Sequence, residues 1–297
     1  AINIKNFEVI VPTNTFFGTA IPVLKAGGKV VLCDNDFNSP EVSFLDIKRK
    51  VTKNTKAVCI VHVGGWIHKD ILKIKRFCKR KNIYLVEDAA HAHFASQNKI
   101  FSGNFGDIGC FSFFPTKVMT TGEGGMIVTK NKKLYKKMLS LKNFGRSSNP
   151  LILSEIGMNF KISEFNSCLG LIELKRVKSR IKKRKKISEL YQRKLLKKKF
   201  KVLINKNSNS SHYKCIVSSE IPYAKIKNNL KRYKIALTGK VWEVPLHKQK
   251  IFLKSKINLN SDFSNADEFS KKHFCPPNYP ELSFSEVERI CKILNNT

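Results

Sequence analysis

Asp88, His91, Ser112 and Lys117 follow one another at short spacing and could together support chemistry on an amine. Lys117 comes directly after the aromatic stretch FSFFPT, which contains no acidic residue. Apolar surroundings disfavour an ammonium, so such a lysine is a candidate nucleophile for a Schiff base with a carbonyl compound. Each residue alone is more typical of a structural role, because most lysines are solvated and a strand-end aspartate often caps a helix.

The first half of the chain alternates apolar runs with helical patterns, which predicts strands buried on both faces. The runs are Glu8–Pro12, Lys29–Asp34, Ala57–Val63, Ile83–Asp88, Ile108–Phe113 and Gly125–Thr129, with helical patterns over Phe16–Ala26 and Asp70–Lys81. This order predicts an α/β domain with a mainly parallel sheet. Ligands bind beyond the carboxyl ends of such strands, so Asp88 is predicted at the ligand edge and Glu87 on the opposite face.

The second half has a different composition and predicts a smaller domain. Residues 171–204 are predicted to form a long basic helix and a linker, and the polar stretch Asn205–Ser211 follows. Short helical and strand-like pieces continue to Thr297. We therefore predict a large domain over residues 1–170 and a small C-terminal α+β domain over residues 205–297.

The charge of the chain is strongly positive, with 56 Lys and Arg against 22 Asp and Glu and a formal net charge of +34. Fifteen of the basic residues lie between Lys175 and Lys201, where apolar residues recur at helical spacing. This segment predicts a helix with one buried stripe and a solvated basic face, although nucleic acid or an anionic membrane would also suit it. Aromatic residues are not interleaved there as in a single-strand binding groove, so we expect no specific nucleic-acid partner.

Two further features narrow the class of protein. No apolar stretch is long enough to span a membrane, so no membrane insertion is expected. None of the eight cysteines forms a C-x-x-C pair, which gives no support for a metal site and favours buried thiols in a reducing cytoplasm.

In the order of its motifs the sequence resembles the DegT/DnrJ/StrS-type sugar aminotransferases, a family that uses pyridoxal 5′-phosphate. The resemblance is carried by EVIVPTNTFFGTA, VEDAAHAH, GDIGCFSFFPTKVMTTGEGGMIVT, GMNFKISEFNSCLGLIEL, WEVPLHKQ and PPNYPELSFSEVE. It implies the fold of type I pyridoxal-phosphate transferases, in which helices sandwich a mainly parallel sheet and a smaller α+β domain follows.

The resemblance implies a role for each residue that matches the family motifs. Lys117 resembles the lysine that binds the cofactor as a Schiff base and later moves a proton. Asp88 resembles the carboxylate that pairs with the pyridine nitrogen and keeps it protonated. His91 matches the position that contacts the ring hydroxyl, Ser112 the hydroxyl that binds the phosphate, and Phe16 the aromatic stacked on the ring.

Two later motifs imply a partner subunit and a substrate contact. Asn159 resembles the asparagine that reaches the phosphate in the neighbouring subunit, which implies a symmetric homodimer with composite sites. His247 lies in a motif that lines the substrate region of the family, and a purely structural imidazole is the open alternative.

The implied reaction is transfer of an amino group from L-glutamate to a keto group of a nucleotide-linked sugar, in the cytoplasm, for the synthesis of amino sugars and polysaccharides. A cofactor-dependent sugar dehydratase of the same family would carry a histidine in place of Lys117. The chain has no initiator Met and begins after a phosphate-binding turn of the family, so we expect an N-terminal truncation. The alternative reading is a catalytically impaired, truncated paralogue with a regulatory or binding role.

Overall fold

The computed structural model describes residues 1–253 and 261–297 as an α/β fold. Its strands are β1 (Glu8–Pro12), β2 (Lys29–Cys33), β3 (Thr55–Val61), β4 (Tyr84–Asp88), β5 (Ser96–Gln97), β6 (Ile100–Phe101), β7 (Ile108–Ser112), β8 (Gly125–Val128), β9 (Lys201–Leu203), β10 (Ile216–Ser218) and β11 (His273–Phe274). Its helices are α1 (Ile21–Lys25), α2 (Phe44–Lys50), α3 (Ile71–Lys81), α4 (Lys132–Leu141), α5 (Glu164–Lys194), α6 (Tyr223–Arg232), α7 (Lys250–Leu253), α8 (Ser264–Lys272) and α9 (Phe284–Asn295).

The central sheet has six strands in the order β2-β1-β3-β4-β7-β8. All neighbours run parallel except β7 and β8, which confirms the mainly parallel sheet. Alternate residues of β1 enter two cores, so that Ile10 packs with helices α2 and α3 while Val9 and Val11 pack on the other face. The register places Asp88 opposite Val61 of β3 and Cys110 of β7.

Glu87, next to Asp88 on β4, is completely buried and holds a network of donors. Its carboxylate accepts the backbone N–H groups of Gly103 (2.8 Å) and Gly106 (2.5 Å). His62 Nδ1 accepts the His68 N–H at 3.1 Å, so Nε2 carries the proton and donates to Glu87 at 2.8 Å. Burial opposes ionisation of Glu87, but the His62 contact and the two backbone donors outweigh it and hold the pKa below its usual value. This network ties β4 to the loop before β7.

The second core lies around α5 and a three-stranded antiparallel sheet with the order β11-β10-β9. The α5 helix begins at Glu164, where the Ser163 side chain caps it, and ends at Lys194. The prediction of a helix and linker over residues 171–204 therefore starts the helix too late, whereas the end of the helix at Lys194 leaves residues 195–204 for the linker. The predicted buried stripe is present, because Val177, Ile187 and Leu190 face the core. The division into domains stays a prediction.

The polar stretch expected as a linker packs against the first half of the chain. Asn205 donates to the Ile67 carbonyl (2.8 Å), and Ser208 accepts the Ile67 N–H (2.9 Å). Ser211 donates its hydroxyl to the His91 carbonyl (2.5 Å) and its N–H to the Gly65 carbonyl (2.8 Å). A Cβ on Gly65, whose φ is +105°, would lie 2.1 Å from the Ser211 hydroxyl, so only glycine permits this approach.

Two other expectations are refined. The helix predicted over Phe16–Ala26 is broken into a 3₁₀ turn, Phe17–Thr19, and the short helix α1, which has Pro22 in its first turn. The structure leaves all eight cysteines unpaired and buries six of them, with Cys168 exposed. Across the two described ranges, no helix has the length and apolar character needed to cross a membrane.

The Glu87 network generates a test of stability. Glu87→Gln should lower the free energy of unfolding by about 2–4 kcal/mol, because an amide offers one acceptor oxygen to converging donors and leaves buried N–H groups unsatisfied. Urea denaturation followed by circular dichroism measures the loss. The matched control, Glu288→Gln, breaks a surface pair with Lys194 and should cost less than about 1 kcal/mol. Equal losses in the two variants would contradict the role given to the network.

Candidate active site

Asp88 lies at the carboxyl end of β4 with both carboxylate oxygens fixed. One oxygen accepts the Thr19 hydroxyl at 2.7 Å, and the other accepts the Ala90 N–H at 3.1 Å. Thr19 is held in turn by the Thr15 hydroxyl at 2.8 Å. The loop after β1 therefore orients the carboxylate, and the burial of neighbouring apolar strands fixes the strand end that carries it.

Lys117 lies in the turn after β7, where its backbone N–H donates to the Phe114 carbonyl at 3.0 Å. Burial lowers the pKa of its amine to about 8, with the charge of Asp88 opposing this shift and that of Lys214 adding to it. The amine nitrogen lies 4.9 Å from the centre of the Tyr213 ring. About a tenth of the amine is therefore unprotonated at pH 7, far more than in an ordinary lysine, and the free amine is the form that makes a Schiff base.

His91 is buried between two aromatic rings. Its centre lies 4.3 Å from that of Tyr213, and 5.8 Å from that of Trp242 with the planes 13° apart. Burial, reinforced by the charge of Lys117, lowers its pKa well below the usual value, so the imidazole is neutral. Its Nδ1 is buried without a hydrogen-bond partner among the described residues. Such a neutral group retains hydrogen-bonding capacity for a ligand.

Three residues line the site beside His91 and Lys117, and we call them its wall: Tyr213, Lys214 and Trp242. None of them was given a role from the sequence. Tyr213 and Lys214 follow the polar stretch that packs against Gly65 and His91, and no periodicity marks them. Trp242 begins a motif that was noted for the family, but no role was assigned to it. The long-range contacts of the polar stretch bring Tyr213 and Lys214 to Lys117, and Trp242 joins the site through its contact with His91.

Three predicted cofactor contacts lie at less enclosed positions. Ser112 ends β7, and its hydroxyl accepts the Phe114 N–H at 3.3 Å. The Phe16 ring is 53% exposed and packs on Phe17 with centroids 3.9 Å apart. Asn159 is exposed, and its side-chain amide oxygen accepts the N–H of Lys161 at 3.4 Å. The structure therefore clusters Asp88, His91 and Lys117 and leaves Phe16 and Asn159 open to solvent.

Both ring nitrogens and one face of the His247 ring contact other side chains of the protein. Its Nδ1 contacts the Thr13 hydroxyl at 2.7 Å, and its Nε2 lies 3.0 Å from an Asp267 oxygen. A carboxylate only accepts, so Nε2 donates to Asp267 and Nδ1 accepts from Thr13. The ring also stacks on Phe263 at 4.5 Å. Both nitrogens are satisfied within the protein, which favours the structural alternative over a substrate contact.

The parallel sheet with a half-buried lysine and a fixed carboxylate beyond its strand ends is that of a type I pyridoxal-phosphate transferase. The chain belongs to the DegT/DnrJ/EryC1/StrS aminotransferase family, whose model matches residues 1–295. It is therefore a pyridoxal-phosphate-dependent aminotransferase.

Similarity to individual proteins extends over most of the chain. The GDP-perosamine synthase of Vibrio cholerae is 29% identical over 295 residues, which cover 97% of this chain and 79% of that protein. A UDP-N-acetyl-3-dehydro-alpha-D-glucosamine 3-aminotransferase of Acidithiobacillus ferrooxidans is 37% identical over 163 residues, covering 54% of this chain and 44% of that protein. The PLP form of a sugar aminotransferase from Streptococcus pneumoniae superposes with a TM-score of 0.88 at 23% identity, covering 99% of this chain and 81% of that one.

The residues present fit the cofactor of this family. The amine of Lys117 makes no salt bridge with a carboxylate among the described residues and has a lowered pKa. The Asp88 carboxylate is fixed and half-buried, and His91 Nδ1 is buried without a hydrogen-bond partner in the part of the chain that the structure describes. The aldehyde of the cofactor requires an amine, its protonated pyridine requires an anion, and its ring hydroxyl requires a hydrogen-bonding atom. Lys117, Asp88 and His91 provide these three groups.

The contacts of His247 can be tested with a double-mutant cycle. His247→Ala and Asp267→Ala should each lower the free energy of unfolding, with a coupling of about 0.5–3 kcal/mol between them. The control cycle pairs His247→Ala with Glu288→Ala, an exposed glutamate of α9 that pairs with Lys194, and should be additive. Urea denaturation gives both couplings. Should His247→Ala instead leave stability unchanged and raise the KM of a substrate, the structural interpretation would be wrong.

Proposed function

We propose that this aminotransferase moves an amino group from L-glutamate to a keto group of a nucleotide-linked sugar. The observation that carries the proposal is the half-buried Lys117 amine, with its lowered pKa, close to the fixed carboxylate of Asp88. The substrate class is supported by the names of the two relatives, both of which specify nucleotide-linked sugars. The positive charge of the chain also suits a substrate that carries a diphosphate.

When bound, pyridoxal phosphate supplies an electron sink that stabilises negative charge on the carbon next to the amino group. Lys117 would hold the cofactor covalently and, once displaced by the donor amine, would carry the proton between the two carbons that exchange it. Its lowered pKa suits both tasks, because the free amine is a nucleophile and a base near neutral pH.

The remaining residues would orient the cofactor and polarise its ring. Asp88 would pair with the pyridine nitrogen, and its fixed negative charge favours the protonated ring. His91 would bond to the ring hydroxyl through its unpartnered nitrogen, and Ser112 would bind the phosphate from the end of β7. Phe16 would cover the ring face.

A reduction experiment tests the assignment of Lys117. The protein loaded with pyridoxal phosphate should show a visible absorption band that changes on addition of L-glutamate. In a separate sample without L-glutamate, borohydride should fix the cofactor on the Lys117 peptide, which peptide mass spectrometry detects. Lys117→Ala should lose both the band and the label, whereas Lys225→Met, an exposed lysine on α6, should keep them.

Two results would count against the proposal. Covalent label on another lysine in the Lys117→Ala variant would overturn the residue assignment. A wild-type chain that binds the cofactor without any response to L-glutamate would favour the catalytically impaired alternative.

We also propose that two chains form a symmetric dimer with composite sites and act in the cytoplasm. Apolar side chains are exposed along residues 151–174, with Leu151, Ile156 and Phe165 exposed by 91%, 96% and 90%. A soluble chain rarely leaves that much apolar surface in water, so a second copy is a fitting cover. Asn159 lies within this stretch, where it would reach the phosphate in the partner's site. The eight free cysteines suit a reducing compartment.

Mixing two inactive variants tests the composite sites. In a dimer of Lys117→Ala and Asn159→Ala, one site combines both defects and the other is intact. An equal mixture that exchanges subunits should therefore recover about a quarter of wild-type activity. The control mixes Lys117→Ala with Asp88→Asn, whose defects lie in the subunit that owns each site, and should recover nothing. Equal activity in both mixtures would reject the proposed contribution of Asn159.

A further inference from the structure

The Tyr213 ring packs on both flanks of the turn that carries Lys117. It shares one buried core with Phe113, which precedes the turn, and with Val118, which follows Lys117 directly. Its hydroxyl lies within hydrogen-bond distance of that of Thr116, at 3.3 Å. A shift of Tyr213 would open space on both sides of the Lys117 backbone, because packed interiors have few voids. The position of the turn therefore depends on where this one ring is held.

The backbone that carries Tyr213 is strained. His212, the residue before it, has a φ of +53°, in the left-handed region that residues with a side chain rarely adopt. Such a conformation is unfavourable and persists only where surrounding contacts hold it. One of these contacts comes from the first half of the chain, because the Ser211 N–H donates to the Gly65 carbonyl at 2.8 Å.

Two buried polar side chains hold the carbonyls on the other side of this backbone. The Asn278 amide donates to the His212 carbonyl at 3.1 Å, and a guanidinium nitrogen of Arg184 contacts the Tyr213 carbonyl at 3.4 Å. The same nitrogen donates to the Asn278 carbonyl, and the Asn278 amide also donates to the Ser188 hydroxyl at 3.1 Å. Arg184 and Asn278, which we call the carbonyl clamp, therefore fix two consecutive carbonyls at the strained residue.

Arg184 lies in surroundings that are unfavourable for a cation. It is buried, and its guanidinium makes no salt bridge with a carboxylate among the described residues. Burial of a charge without a counter-charge costs free energy, which an apolar side chain at this position would avoid. Val177, two turns earlier on the same face of α5, already supplies apolar packing to the Tyr213 core. What Arg184 adds is the contact with the carbonyls.

We propose that Arg184 and Asn278 are positioning residues, which hold Tyr213 and, through it, the turn that carries Lys117. The clamp belongs to α5 and the second core, whereas Lys117 lies beyond the strand ends of the central sheet. It therefore couples the second half of the chain to the position of the candidate nucleophile. The importance of this coupling for turnover rests on the proposed function, but the coupling itself belongs to the protein without its cofactor.

Hydrogen–deuterium exchange of the full chain without cofactor measures the coupling at the turn. Arg184→Met should raise the exchange rate of a peptide over residues 114–118 by roughly fivefold, the effect of one lost hydrogen bond, because the Lys117 N–H that donates to the Phe114 carbonyl loses protection. Asn278→Ala is a smaller change that removes the other arm of the clamp, and it should raise the same rate. It keeps the test open if Arg184→Met does not fold.

Two controls separate positioning from a general loss of stability. Arg193→Met removes an exposed arginine in the last turn of α5 and should leave exchange at the turn unchanged. A peptide over β3 reports on the core of the central sheet, and its rate should rise less than that of the turn. An equal rise in both peptides, or a rise in β3 alone, would show a merely structural role and overturn the inference.

A double-mutant cycle tests whether the effect passes through Tyr213. Tyr213→Ala should itself raise exchange at the turn, and adding Arg184→Met should then change the rate by less than about twofold. Additive effects would mean that Arg184 acts by another route, which contradicts the inference.

Transamination assays of the same variants keep the two proposals apart. Coupling at the turn in a chain that shows no transamination would support the inference and count against the proposed function alone. Transamination by the wild-type chain, with unchanged exchange at the turn in both clamp variants, would overturn the inference and leave the proposed function standing.

Discussion

The buried carboxylate of Glu87 is the contact on which the geometry of the site depends. Successive residues of a strand face opposite ways, so fixing Glu87 among His62 and the Gly103 and Gly106 amides turns Asp88 toward the other face. Transfer of an ionised group into the interior is costly unless its bonds are satisfied there. The donors around Glu87 meet that condition, and they connect β4 to the loop that leads into β7 and Lys117.

The site itself combines groups that oppose one another electrostatically. Asp88 stabilises positive charge, while burial and Lys214 disfavour it on Lys117. The rings of Tyr213 and Trp242 help to bury His91, and this burial keeps the imidazole neutral. Protonation of each group is thereby set by its neighbours, and the positions of these neighbours are fixed by strand ends and packed rings.

The sequence predicted the parts whose signals are local. The apolar runs located β1, β2, β3, β4, β7 and β8 of the sheet, and the family motifs picked out Asp88, His91 and Lys117, which lie together. The start of α5 was missed because its first turns carry exposed apolar residues such as Phe165 without a clear buried stripe. Tyr213, Lys214 and the role of the polar stretch were beyond prediction, since they depend on contacts between residues more than a hundred positions apart in sequence, such as Ser211 with His91.

The hydrogen bonds of Ser211 to the carbonyls of Gly65 and His91 have a consequence for how this enzyme can evolve. The segment that follows Ser211 places Tyr213 and Lys214 in the wall around Lys117, although it belongs to the second half of the chain. Recombination that exchanged the second half for that of a relative would therefore replace part of the reactive centre as well. A junction placed between Lys214 and Trp242 would keep Tyr213 and Lys214 with Lys117 and exchange only the Trp242 side of His91, whereas one placed before Ser211 would exchange all three residues.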